Sequence, residues 1–215
     1  MGLGIPTPGL FPALWKSVRG FAYKNRVMLV IVAIYYGAAH GLAAYLGRKF
    51  TSGASDLLFD LATILMPMFL VVLLMGRFCY MVAAVRPEKP TEWLLRDIRN
   101  VVFDADRLIH GTLSLVVIAV MASAFTFVKD QIPVFAPFSW DPVLAAVDRA
   151  LHGGHDPWRL LMPIFGTPPL TTALNAAYNA WFFVLFFVVF IACFGNPGNR
   201  NHRTFLLAFT LGWIV

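Results

Sequence analysis

Residues 26–46 read RVMLVIVAIYYGAAHGLAAYL, twenty-one positions whose one charge, Arg26, stands at the first of them. A helix rises ~1.5 Å per residue, so ~20 such residues cross a ~30 Å hydrocarbon layer with every backbone N–H and C=O satisfied within the segment. The same pattern recurs along the chain. The run at 56–85 contains LLFDLATILMPMFLVVLLMG, with Pro67 as a predicted kink. It is longer than the hydrocarbon layer and is expected to tilt or to project past Arg77. Further spans are predicted at 110–128 and 170–194, and the apolar run at 204–215 is the start of a fifth, incomplete as a span. The predicted fold is therefore all-α, a polytopic transmembrane helix bundle of four spans plus the start of a fifth, with short extracytoplasmic surface helices.

Composition agrees with that reading. The 215 residues are 59% hydrophobic and 13% charged, with mean hydropathy +0.72, against roughly half apolar and a quarter charged in soluble domains. The net charge of +6 does not call for nucleic acid, because the basic residues are scattered between apolar runs and are explained by topology. Lys16, Arg19, Lys24, Arg26, Arg77, Arg86, Lys89, Arg96, Arg99, Arg107, Arg200 and Arg203 fall on one side of the spans, twelve of seventeen. Arg48, Lys49, Lys129, Arg149 and Arg159 fall on the other. The positive-inside bias makes the amino-terminus cytoplasmic. Cys79 and Cys193 lie in apolar segments without metal-like spacing, so neither a disulfide framework nor a thiolate site is indicated.

Residues 1–25 read as an interfacial segment, with Trp15, Phe21 and Tyr23 interleaved with Lys16, Arg19 and Lys24. They show no signal-peptide cleavage pattern, and 26–215 form a single transmembrane domain. Between the second and third spans, Thr91 is expected to cap an amphipathic cytoplasmic helix over 91–107, with Trp93, Leu94, Ile98, Val101 and Val102 on its apolar face. Five basic and five acidic residues share 86–107, which makes a solvated surface rather than an anionic-lipid patch.

The chemistry-bearing candidates begin with LHGGHDPW at 151–158, expected on the extracytoplasmic face. Asp141-Pro142 and Asp156-Pro157 are helix-start signals, the aspartates capping exposed amides. Gly153 and Gly154 stop the first helix, Val143, Leu144, Val147 and Leu151 form its apolar face, and Trp140 and Trp158 act as interfacial anchors. The result is a helical hairpin over about 140–163. His152 and His155 would share a metal only on a continuous helix, which Gly-Gly interrupts, so no metal is assigned. Two readings stay open: a purely structural hairpin, or a phosphate site in which His152, His155, Asp156, Arg159 and the amides of the second helix face an anion. A second constellation, Thr171, Asn175 and Asn179 with Thr172 and Tyr178, occupies the extracytoplasmic half of the fourth span. It serves either helix–helix hydrogen bonding or a headgroup cavity shared with the hairpin. His40 and His110 read as hydrogen-bonded packing residues.

In order, FSWDPVLAAVDRALHGGHDPWRLL, LTTALNAAYNAWFFVLFF and NRNHRTFLLAFTLGWIV resemble the amino-terminal half of bacterial membrane proteins of the type 2 phosphatidic acid phosphatase superfamily. More narrowly they resemble its inositolphosphotransferase branch, similar to inositol phosphorylceramide synthases. The likeness covers about residues 135–215. It implies a bacterial inner-membrane location and metal-independent, histidine-dependent hydrolysis or transfer of a lipid phosphate at the extracytoplasmic face, with no cofactor. It implies as partner a membrane lipid such as a phospholipid or polyprenyl phosphate. The family's acid motif (Pro-Ser-x-His or Ser-Gly-His) and nucleophile motif (Ser-Arg-x5-His-x3-Asp) do not occur in this chain: Ala145 and Ala146 stand where Ser-Arg would precede His152 and Asp156. Cys79 occupies the lysine position of Lys-x6-Arg-Pro, before Arg86-Pro87. No residue of this chain is thus assigned as catalytic, and the chain reads as a truncated or amino-terminal part. His152, His155, Asp156, Arg159, Asn175, Tyr178 and Asn179 are the residues expected to line a headgroup cavity. The rival expectation is a non-catalytic accessory or structural subunit packed against partner membrane proteins.

Overall fold

A computed structural model describes residues 10–102 and 104–214, and no strand occurs among them. Four helices are long and apolar enough to cross a membrane, which makes the chain an all-α, integral-membrane type of fold. Contacts divide it into two compact units, Met1–Thr126 with Phe187–Val215, and Phe127–Phe186.

In the first unit, α1 (Leu10–Lys24) precedes the spanning helix α2 (Arg26–Tyr45) with only Asn25 between them. Asn25 leaves helical geometry and donates both its backbone N–H and its side-chain amide to the Phe21 carbonyl, at 2.9 and 3.0 Å, which satisfies a carbonyl at the end of α1. The second spanning helix, α3, runs Ala54–Val85. Pro67 has no N–H to offer the Thr63 carbonyl, and its ring presses on that oxygen. The strain is taken up one turn earlier, where Leu61–Leu65 is widened to a π-helical turn. There the Thr63 hydroxyl donates to the Phe59 carbonyl at 2.7 Å. A second π-helical turn, Met81–Val85, closes the helix, and Arg86 adopts a left-handed conformation (φ 47°) ahead of Pro87.

The amphipathic helix α4 covers Pro90–Val102. Thr91 is therefore not its cap: Pro90, with φ already fixed, takes the first helical position, and the Lys89 carbonyl accepts the Trp93 N–H at 3.0 Å. Nor does α4 continue to residue 107. The Asp104 carboxylate accepts the Arg107 N–H at 2.9 Å and so caps a new helix, α5 (Ala105–Phe135). The far end of α5 passes the predicted stop at Lys129-Asp130, since both residues tolerate helix. It ends just before Ala136-Pro137, where the proline restricts its predecessor. Helix α4 is tied to α3 where the latter nears its end: Asp97 accepts from both Nε and Nη2 of Arg77, and Trp93 lies 6.5 Å from the Tyr80 ring.

The core of this unit lies around α5. Leu115, Ile118, Ala119, Met121 and Ala124 are buried there, with Met28, Val32, Ala39 and Ala43 of α2. The carboxyl-terminal end of α8 (Pro168–Cys193) adds Val189, Phe190 and Ala192, and α9 (Arg200–Ile214) adds Leu206 and Thr210. Small residues with no exposure, Ala39, Ala119 and Ala124, allow close backbone approach. Phe190 stacks on Phe69 of α3 at 5.2 Å. Helix α3 is otherwise largely exposed: besides Phe69, only Ala54, Leu61 and Met81 are buried among its described residues.

The second unit holds the end of α5, the short helices α6 (Asp141–Leu151) and α7 (Pro157–Phe165), and most of α8. Neither α6 nor α7 has a buried residue, and the predicted apolar face of α6, Val143, Leu144, Val147 and Leu151, is exposed. Faces of this kind are stable in water only when something apolar covers them.

Candidate functional site

The α6–α7 hairpin is built by its two glycines. Gly153 and Gly154 have φ of 65° and 85°, the left-handed region that side chains with a Cβ avoid. They turn the chain back so that the Gly154 N–H reaches the Arg149 carbonyl at 2.7 Å, a six-to-one closure of the helix end. The two histidines consequently do not share a helical face. His152 directs Nδ1 at the Asp148 carbonyl, 2.7 Å away, while the His155 side chain is exposed at the turn. Among the described residues no group of three His, Cys, Asp or Glu side chains converges as a metal would require.

Asp156 occupies the cap position of α7 with extended backbone angles, and its carbonyl accepts the Arg159 N–H at 2.9 Å. Its carboxylate does not cap, and neither does that of Asp141, which already lies inside α6. Instead Arg149 Nε donates to Asp156 Oδ1, and Arg159 Nε stands 3.5 Å from Oδ2. A guanidinium outcompetes a backbone amide for a carboxylate because the bond is charge-assisted at both ends. The Arg149 hydrogen bond, reinforced by the charges of Arg149, Arg159 and His155, holds the Asp156 carboxyl below its ordinary range. Both guanidiniums keep open faces, Arg149 with 56% and Arg159 with 65% of the side chain exposed, and Arg159 lies over the Trp158 ring at 5.2 Å.

The α8 residues form a separate group. Asn175, Tyr178 and Asn179 lie on one helical face and are exposed. Polar atoms around them bond locally: Thr172 donates to the Pro168 carbonyl and Asn179 Nδ2 to the Asn175 carbonyl at 2.7 Å, while Thr171 donates to the carbonyl of Phe165, the last residue of α7. Tyr178 meets Phe182 edge-on at 5.3 Å. No hydrogen bond, ion pair or ring contact among the described residues joins these three to the hairpin residues. His152 is held by the Asp148 carbonyl and His155 stays exposed, so the hairpin joins Asp156 and Arg159 with Arg149, which sequence reasoning did not include. Its signal was present, a basic residue seven positions before Asp156 across a Gly-Gly turn, but the turn geometry that unites them is not written in the spacing.

Comparisons with protein-family models, with curated proteins and with solved structures returned no match.

Proposed function

We propose that this chain is the amino-terminal membrane part of a lipid-phosphate phosphatase or phosphotransferase, its hairpin working among lipid headgroups at the extracytoplasmic face. One observation carries the reading. Two half-open guanidiniums flank one carboxylate on a hairpin whose apolar faces are left exposed by the described residues of this chain. A phosphate monoester, with more negative charge than a carboxylate and three acceptor oxygens, would compete with Asp156 for Arg149 and Arg159. His155 would be positioned beside it. The chain's own contribution is then binding and charge stabilisation, and the nucleophile and the acid are expected from a further segment or a partner chain.

The test uses protein isolated from its native membrane at its native length, reconstituted with dioleoylphosphatidic acid. Phosphate release, or transfer to an added alcohol, is expected, and His155→Ala with Arg159→Gln should raise KM by about tenfold, as loss of one charged contact does. Absence of both turnover and phosphatidic acid binding would sink the enzyme reading and favour an accessory membrane subunit.

A further inference from the structure

The turn GNPGNRNHR at 195–203 opens α9 with Arg200, His202 and Arg203 in its first turn and no acidic residue there. Cations at a helix amino-terminus oppose the helix dipole, so this arrangement is unfavourable unless an anion answers it. Lys24 and Asn25, from the junction of α1 and α2, line the same cleft as Arg200, Arg203 and Thr204. The cleft has a volume of about 200 Å³, and Val27, Met28 and Leu207 form its apolar side. Three cations thus converge from distant parts of the chain with no carboxylate lining the cleft, and none of the three is ion-paired among the described residues.

Unpartnered groups point the same way. Arg203 Nε is buried without a hydrogen-bond partner, as are His202 Nδ1 and His110 Nε2. His110 is only 6% exposed and lines, with Asn25, His202 and Arg203, an inner cavity of about 20 Å³, room for about one water. Its Nδ1 meets the Asp106 backbone carbonyl at 2.9 Å. A carbonyl only accepts, so Nδ1 is the donor in this contact. The nearest carboxylate oxygen, Asp106 Oδ1, stands 3.5 Å from the same Nδ1 and accepts from the Ser17 hydroxyl at 2.5 Å. Gly195 is required at this point, because a Cβ there would fall on the His202 ring.

We propose that the Lys24–Arg200–Arg203 cleft binds the phosphate of an anionic phospholipid, with Val27, Met28 and Leu207 beside the start of its acyl chains. The phosphodiester supplies the missing counter-charge, accepts from the Arg200 and Arg203 guanidiniums, and compensates the helix dipole. A phospholipid fits better than a free anion. The cleft borders the first residues of the spanning helix α2, and one wall is apolar. This site is independent of the hairpin and of the activity proposed for it.

The experiment uses the full chain in a neutral detergent, with thermal unfolding and native mass spectrometry as readouts. Dioleoylphosphatidylglycerol should raise the melting temperature and remain bound, and dioleoylphosphatidylcholine should do neither. Arg200→Gln with Arg203→Gln should weaken phosphatidylglycerol binding by about tenfold or more, each basic residue near an anionic headgroup being worth roughly a factor of five. Without lipid this variant should melt no lower than the wild type, since it removes unanswered like charges. Lys89→Gln, which alters an exposed lysine paired with Glu92, should respond like the wild type. The proposal is overturned if phosphatidylcholine serves equally, if inorganic phosphate at matched ionic strength reproduces the full shift, or if the double variant keeps its lipid response. A double variant that melts lower without lipid yet retains lipid would assign the arginines a structural role instead.

Discussion

Gly111 of α5 faces the ring of Phe194, which follows α8, and the consequence of adding one methyl there can be worked through. A Cβ at Gly111 would lie 2.8 Å from Phe194 Cγ and closer still to the ring edge. Carbon pairs rest at about 3.5–4.0 Å, so the ring must retreat by roughly 1 Å. That retreat disturbs its stack on Phe190 at 6.0 Å, and Phe190, 1% exposed, stacks in turn on Phe69. Overpacking of this kind costs about 1–3 kcal/mol. The change also gains about 0.5–1 kcal/mol by replacing glycine with alanine inside a helix. Gly111→Ala should therefore destabilise by a net ~1–2 kcal/mol, measured by reversible sodium dodecyl sulfate titration in mixed micelles. In a Phe194→Ala background the obstruction is gone and only the propensity gain remains, so the same substitution should become stabilising. The sign reversal is the test. An equal cost of Gly111→Ala in both backgrounds would refute the packing argument.

Two further outcomes follow from the ion pairs. Asp156 has a folded-state pKa below its unfolded value, so its pairing favours the hairpin above the ordinary carboxylate pKa and is lost as pH falls through the depressed one. A carboxyl-carbon NMR titration should place the Asp156 midpoint below the ordinary aspartate range, and Arg149→Gln should return it toward that range. Arg77→Met leaves Asp97, whose side chain is 15% exposed, without its partner, and should cost about 1–3 kcal/mol. Arg77→Met with Asp97→Leu should recover most of that, and hydrogen exchange in α4 would register both changes.

The spans were legible because each is an apolar run of membrane length, a property that lies wholly within one segment. The ends were less so. Thr91 carried the residue type of a cap, yet Pro90 and Asp104 set the actual boundaries through a fixed φ and a carboxylate–amide bond. At the hairpin the sequence marked the glycine stop and the helix starts. The partner of Asp156 depended on the left-handed angles at Gly153 and Gly154, which bring Arg149 back across the turn. His110 was read as a packing residue from its lone position in an apolar run. Its cavity, shared with His202 and Arg203, is assembled across some ninety residues of chain, and no local pattern encodes that meeting.

The widened turns of α3 bear on how its surface is to be read. A π-helical turn accommodates one residue more than an α-helical turn, so it acts on everything downstream as an insertion would. Each added residue rotates the following side chains by about 100° around the axis. A helical wheel drawn without interruption from Ala54 is therefore out of phase beyond Leu65. Phe69, the residue of Met66–Tyr80 that turns inward, belongs to a stripe that starts afresh after the first widened turn. Scanning mutagenesis along this helix should accordingly show two angular phases of sensitivity, one on either side of Leu61–Leu65, rather than a single continuous seam.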